Sequence, residues 1–230
     1  MTEKNNIWNW FKSYFTNIEI ETISTSLNPS LQVCLSEGKY ILHSAADNFS
    51  YSSLDPAFCK VFRKLKIKER DINNILLLGV GSGSLVKVLQ HDFKLNAAIT
   101  GVEKDAEIIK LAHKYFRLSS YRNFTLVQDD VIHFLENEGH TYDLVISEVF
   151  SGLHVPETIT SSSYLTQLKK VLAPKGLLIY TMVVGDKGSK KTAKAMVEKF
   201  ENIFGKPKVN KIWEFWKTWL ITYENQAEDQ

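Results

Sequence analysis

Four short segments, each directly after an apolar run, hold residue types that could bind a ligand and act on it. The first is Gly79-Val80-Gly81-Ser82-Gly83-Ser84, which follows Ile75–Leu78 and opens a helical pattern. Glycines at this spacing let the backbone turn sharply and let a ligand approach the main chain. A dinucleotide-binding loop would carry its third glycine where Ser84 stands. The second is Glu103, at the end of the next apolar run, where a carboxylate can accept both hydroxyls of a ribose. The third is Gln128-Asp129-Asp130-Val131. Here an acidic side chain can accept an adenine amino group while the Val131 N–H donates to the ring. Either aspartate can equally cap the helix that follows, and one can cap while the other binds. The fourth is Ser147-Glu148-Val149-Phe150-Ser151-Gly152, in which Glu148 is the ionisable side chain. At that position a carboxylate serves as a general base or makes a structural hydrogen bond.

These segments need a scaffold that brings them to one edge. Residues 75–80, 97–102, 124–127, 144–146 and 177–180 are short apolar runs of the kind that form buried parallel strands. Helical patterns over 83–91, 105–116, 131–137, 161–173 and 189–204 alternate with them, and Ala173-Pro174-Lys175-Gly176 reads as a helix stop. Strands near 208–214 and 218–224 then form a hairpin. Such βα repetition predicts an α/β, Rossmann-like fold, a mostly parallel seven-stranded sheet with helices on both faces. The glycine loop, Glu103 and Asp130 all fall at carboxyl ends of its strands, where open α/β sheets bind ligands. Upstream lie a short aromatic helix within 5–16 and strand-like stretches at 18–24, 30–36 and 40–42, a small antiparallel β-unit. Asp55-Pro56 opens a further helix, with Asp55 as its expected N-cap. The chain is thus divided into residues 1–54 and a Rossmann-like domain over 55–230.

Composition narrows the function classes. The 230 residues suffice for one large domain, 44% of them are hydrophobic, and the net charge is +2. Nothing global argues for nucleic acid or membrane binding. No apolar run approaches the roughly 18 residues of a membrane span, so a cytoplasmic protein is expected. Cys34 and Cys59 suit reduced thiols, with a disulfide still open, and the six histidines show no metal-ligand spacing. The lysines at 187, 190, 191 and 194 read as a solvated helix face. Trp213, Phe215, Trp216 and Trp219 read as core or dimer contacts.

The order ILLLGVGSGS, TGVEKDAEIIKLAHKYF, LVQDDVIHFL, YDLVISEVFSG and YLTQLKKVLAPKGLLIY resembles the spermidine synthase family and its methyltransferase-fold relatives. The stretch LHSAADNFSYSSLDP is similar too, with Asp47, Phe49 and Tyr51 on matching positions. The resemblance covers about 30–184 and implies a class I S-adenosylmethionine-dependent methyltransferase fold with its C-terminal β-hairpin. It implies that Gly79, Gly81, Ser82 and Gly83 cradle the cofactor, Glu103 its ribose, and Asp130 with Val131 its adenine. Tyr51 and His154 would wall the acceptor pocket, with Glu148 and Tyr51 as the candidate catalytic residues.

The departures from the family's pattern separate two activities. Spermidine synthases carry an aspartate where Ser82 stands, two aspartates where Glu148 and Ser151 stand, and polar or acidic residues where Ser52 and Ser53 stand. A cationic diamine needs such carboxylates. The stretch EVFSGLHVPETIT instead resembles a spermidine-synthase-like branch of methyltransferases. The expectation is methyl transfer from S-adenosylmethionine to a small-molecule acceptor, with a homodimer as the expected assembly. Aminopropyl transfer from decarboxylated S-adenosylmethionine, and a non-catalytic nucleotide-binding or scaffolding domain, are the alternatives.

Overall fold

A computed structural model describes residues 7–44, 49–50, 54–150, 155–213 and 217–226. After α1 (Ile7–Lys12), strands β1 (Ile18–Ile23), β2 (Leu31–Ser36), β3 (Lys39–Ser44) and β4 (Phe49–Ser50) form an antiparallel sheet in sequential order. Helix α2 (Asp55–Lys64) leads into the main sheet, built from β5 (Asn74–Leu78), β6 (Ala98–Glu103), β7 (Phe124–Gln128), β8 (Tyr142–Ser147), β9 (Leu172–Val183), β10 (Lys208–Trp213) and β11 (Lys217–Glu224). Its order is β10-β11-β9-β8-β5-β6-β7. Strands β5 to β9 pair in parallel, while β11 runs antiparallel to both β9 and β10. Because β5 lies between β6 and β8, the order reverses there, and the crevice at the carboxyl ends of β5 and β8 is where such sheets take ligands.

Side chains alternate across β5, and this alternation builds two cores. Ile75 and Leu77 join Phe58, Phe62 and Val86 on one face, under α2 and α3 (Ser84–Lys87). Leu76 and Leu78 join Leu165, Leu168 and Phe200 on the other. That second layer is α5 (Val131–Asn137), α6 (Ser162–Lys170) and α7 (Lys187–Phe204). A smaller core fixes the N-terminal sheet to α4 (Ala106–Tyr115), as Leu31, Val33 and Leu42 pack on Ile108 and Leu111.

Three local expectations need correction. The helix over 83–91 is α3 followed by a π-turn at Val88–Asp92. Helix α6 ends at Lys170, and Ala173–Gly176 lies inside β9. Strand β8 pairs Tyr142 with Leu172 and then Leu144 with Leu177, so the intervening residues bulge out. Pro174, which has no N–H, and Lys175, at φ 62°, fit that bulge as well as they fit a helix end. Asp55 is not the N-cap of α2. Leu54 takes that position, Asp55 and Pro56 fill the first turn, and the Asp55 side chain bonds to Ser84 instead. Both cysteines are free thiols, so the open disulfide is absent. Trp219 is buried in the core, whereas Trp213 is 71% exposed under the Lys217 ammonium. Phe215 and Trp216 lie outside the described residues. Among the described residues, no helix is long and apolar enough to cross a membrane.

Candidate active site

The carboxyl ends of β5, β6, β7 and β8 surround a cleft of about 230 Å³. Gly79 leaves β5 at φ 87°, a left-handed conformation, and its amide donates to the Val102 carbonyl. A Cβ there would lie 2.3 Å from the Glu148 carbonyl oxygen, so the glycine lets the loops after β5 and β8 touch. Gly79, Val80 and Gly81 line the cleft. Ser82 is buried, and neither it nor Gly83 lines the cleft.

Glu103 ends β6 on the cleft wall. One carboxylate oxygen accepts from the Gly81 amide at 3.0 Å and the other from the Asp105 amide at 3.0 Å. A carboxylate has about four acceptor sites, so each oxygen keeps one for a hydroxyl. Burial pushes Glu103 above the ordinary carboxylate range, and the two amides pull it back only in part.

Asp130 caps α5 and lines the cleft at once. Oδ1 accepts from the Ile132 amide at 2.8 Å, and Oδ2 pairs with the Lys104 ammonium at 2.8 Å. Burial works to raise this carboxyl, but Lys104 and the helix amide outweigh it and hold the group below its usual range. Asp129 bonds instead to His133 and to the Asp130 amide. Of the two aspartates it is therefore Asp130 that both caps the helix and reaches the cleft. Val131, first in α5, stands beside it with an N–H outside the helix's own ladder.

At the other end stands Glu148, with Val149, Phe150 and Thr158. Its amide donates to the Leu78 carbonyl, which fixes the backbone. Its carboxyl makes no hydrogen bond or ion pair to any described residue, in contrast to Glu103 and Asp130. Burial, and then the charge of Asp55, push it well above the ordinary carboxylate range. Asp55 is itself pushed up to about 6, chiefly by burial and against the hydrogen bond to Ser84. Buried hydroxyls support the far wall. Tyr180 Oη donates to the Ile159 carbonyl at 3.0 Å, and Ser147 Oγ lies 2.9 Å from Tyr164 Oη.

Six of the predicted residues therefore share one cleft: Gly79, Gly81, Glu103, Asp130, Val131 and Glu148. Tyr51, His154, Ser151, Ser52, Ser53 and Asp47 lie outside the described residues. Sequence reasoning missed Leu27 and Asn28, which reach the cleft from the N-terminal unit, as well as Lys104 and Asp105. For Asp105 a signal existed, an acidic residue two positions after Glu103 and directly before a helical run. For Leu27 and Asn28 there was none, because the stretch reads as a plain connection between strands.

Residues 75–176 match the family described as methyltransferase domain. Over 128 residues the chain is 32% identical to the eEF1A lysine and N-terminal methyltransferase homolog of Drosophila melanogaster, covering 51% of this chain and 19% of that protein. Across the curated relatives compared, the match spans between 19% and 50% of their own length. The spermidine synthase from Thermotoga maritima superposes with a TM-score of 0.73 at 13% identity, over 92% of this chain and 74% of that one. Human methyltransferase-like protein 13, solved in complex with SAH, superposes with a TM-score of 0.60 at 20% identity, over 78% and 83% of the two chains. The expected Rossmann-like fold of methyltransferase class, with its terminal hairpin and small N-terminal sheet, is the one observed.

Proposed function

We propose that this chain, which carries a class I methyltransferase domain of spermidine synthase-like type, transfers the methyl group of S-adenosylmethionine to an amine nitrogen. The observation that carries the reading is the difference among the cleft's carboxyl groups. Glu103 and Asp130 are pre-oriented by protein donors, whereas Glu148 stands half-buried on the cleft wall with no hydrogen-bond or ion-pair partner among the described residues. A half-buried carboxyl that faces the cleft without a protein donor has its oxygens open to a donor carried by a ligand.

The residues present fit the cofactor. Glu103 keeps an acceptor site on each oxygen for the two ribose hydroxyls, and the Asp130 carboxylate and Val131 N–H suit the adenine edge. When bound, S-adenosylmethionine supplies an electrophilic methyl on a sulfonium centre. The protein's work is then to hold the acceptor in line and to take its proton. An amine attacks only when its lone pair is free. Glu148, made more basic by burial and by Asp55, accepts the proton of an entering ammonium. Phe150 and Val149 exclude water beside it. The fruit-fly relative's name, a lysine and N-terminal methyltransferase homolog, supports an amine as acceptor. A small-molecule amine and a lysine side chain present the same group. A homodimer and a cytoplasmic setting belong to this reading, and the exposed Trp8 and Phe15 on and just after α1 would supply an interface.

Aminopropyl transfer is the second reading, favoured by the likeness to spermidine synthase over 92% of the chain. Ser82, buried where that family has an aspartate, counts against it. Calorimetry with S-adenosylmethionine and its decarboxylated form decides between the cofactors. Transfer of a labelled methyl group to Nα-acetyl-lysine amide or to putrescine then tests the acceptor class. Preference for the decarboxylated cofactor, with an aminopropylated product, would replace the first reading. Cofactor binding without transfer to any amine would leave a non-catalytic binding domain.

Glu148→Gln is expected to lower the methyl-transfer rate by about 10²-fold or more and to leave S-adenosylhomocysteine affinity within about twofold. Single-turnover kinetics and calorimetry on the same preparation check both halves.

A further inference from the structure

The connection between β1 and β2 does more than join two strands. Thr25 and Asn28 close it into a turn, with the Thr25 amide donating to the Asn28 carbonyl at 2.8 Å. The Thr25 hydroxyl accepts from the Leu27 and Asn28 amides at 3.1 and 2.9 Å. The same hydroxyl donates to Asp105 Oδ2 at 2.7 Å, and Asn28 Nδ2 donates to that oxygen at 2.9 Å. Asp105 and Asn28 are only 5% and 9% exposed.

Asp105 also caps α4, but it does so with its other oxygen, which accepts from the Glu107 amide at 3.0 Å. Helix capping therefore explains Oδ1 and leaves Oδ2 to the turn. The Asp105 amide in turn holds Glu103 Oε1, and Glu103 Oε2 holds the Gly81 amide. One polar chain thus runs from the N-terminal unit through Asp105 and Glu103 to the glycine loop. Leu27 and Asn28, on the turn itself, line the cleft.

We infer that the Thr25–Asn28 turn is a working part of the cofactor site: by gripping Asp105 it fixes Glu103 toward a ribose diol, and it sets Leu27 and Asn28 as the cleft's outer wall. This rests on the assignment of the cleft to an adenosyl cofactor. Thr25 and Asp105 are positioning residues, since neither needs to touch the ligand to act. The physical reason is pre-organisation: a carboxylate already held in its bound orientation loses less freedom when the ligand arrives. Removing the Thr25 hydroxyl leaves the buried Asp105 oxygen one donor short, and the freedom gained passes through the Asp105 amide to Glu103.

The test is calorimetric titration of S-adenosylhomocysteine into the full chain and its variants, with amide hydrogen exchange read residue by residue. Thr25→Val should weaken binding roughly tenfold and speed exchange at the Gly81 amide, which Glu103 holds. Thr25→Ser, which keeps the hydroxyl, should restore both, a rescue that loss of general stability would not give. Asp105→Asn should behave like Thr25→Val. In the unmodified protein, ligand should slow exchange at the Leu27 and Asn28 amides, a measurement that needs no variant to fold. Thr25→Val binding within twofold of the parent, with Gly81 exchange unchanged, overturns the inference. So does unchanged exchange at Leu27 and Asn28 on saturation. Failure of the parent chain to bind S-adenosylhomocysteine at all overturns the cofactor assignment as well. Loss of binding in Glu103→Gln beside an unaffected Thr25→Val leaves that assignment standing and removes only the role given to the turn.

Discussion

Asp55 and Glu148 are two carboxyl groups in one poorly solvated region, and the charge of Asp55 makes the ionisation of Glu148 harder to accommodate. Asp55 adds its charge to the burial that raises Glu148, so Asp55→Asn should bring Glu148 down. The catalytic base is lost as pH falls through the Glu148 pKa. In Asp55→Asn, then, the acid limb of the pH–rate profile should move to lower pH, with little change in the plateau. Stability carries a second sign. The folded pKa of Asp55, about 6, is above its unfolded value of 3.8, so the folded state holds that proton more tightly. Stability from this group is full below about pH 4 and is lost as pH rises through 6. Asp55→Asn should accordingly be more stable than the parent at pH 8, by on the order of 1–2 kcal/mol after allowance for partial exposure. The gap should close below pH 4. Urea unfolding at both pH values reads the difference directly. At Gly79 the constraint is steric. Gly79→Ala meets both a left-handed φ and the Glu148 carbonyl 2.3 Å from its new methyl group. A loss of roughly 1–3 kcal/mol in urea unfolding and of measurable S-adenosylhomocysteine binding is expected.

At the scale of single elements, helix α5 joins folding to binding through one residue. Asp130 gives one oxygen to the Ile132 amide and the other to Lys104 at the cleft. These roles come apart in two variants. Asp130→Ala should cost about 1 kcal/mol of stability and also weaken S-adenosylhomocysteine binding. Asp130→Ser keeps a capping oxygen but gives up the ion pair, so it should restore most of the stability and little of the affinity. Thermal unfolding and calorimetry on both variants separate cap from site. The same double use explains why the sequence was readable here in part: Asp129 and Asp130 are both good N-caps, and only the fold decides which one reaches the cleft. Strands β5 and β8 were legible because a strand buried on both faces must be apolar along its length, and the edge strand β7, which has no buried residue, was legible from its short apolar run between two helical patterns. The start of β9 was not, because proline, a left-handed residue and glycine serve a helix stop and a strand bulge equally well. Asp55 was misplaced for a related reason. Capping is a local preference, whereas its actual partner, Ser84, stands at the start of another helix.

For the molecule as a whole, the question is whether the N-terminal unit is an appendage or part of the same cooperative structure. Leu31, Val33 and Leu42 have almost no exposure, and they are covered by Ile108 and Leu111 of α4. Glu21 adds hydrogen bonds to Lys114 and Tyr115 on that helix, and these hold its carboxyl below the usual range. Helix α4 starts just after Glu103 and packs its remaining face into the main domain through Ala112, against Val80 and Leu118. One helix therefore belongs to two cores, and neither sheet can leave it without exposing apolar surface. The resulting expectation is one unfolding transition for the described chain. Far-ultraviolet dichroism, dominated by the large α/β unit, should give the same midpoint as fluorescence from Trp10, which packs against Gly38 in the turn between β2 and β3. Leu31→Ala, in the small core, should cost about 2–4 kcal/mol and lower both midpoints together. If it lowers only the Trp10 signal and leaves the dichroism transition in place, the two units unfold independently. A saturating adenosyl ligand should raise both midpoints by the same amount, since a ligand stabilises every part of the structure that must be folded to bind it.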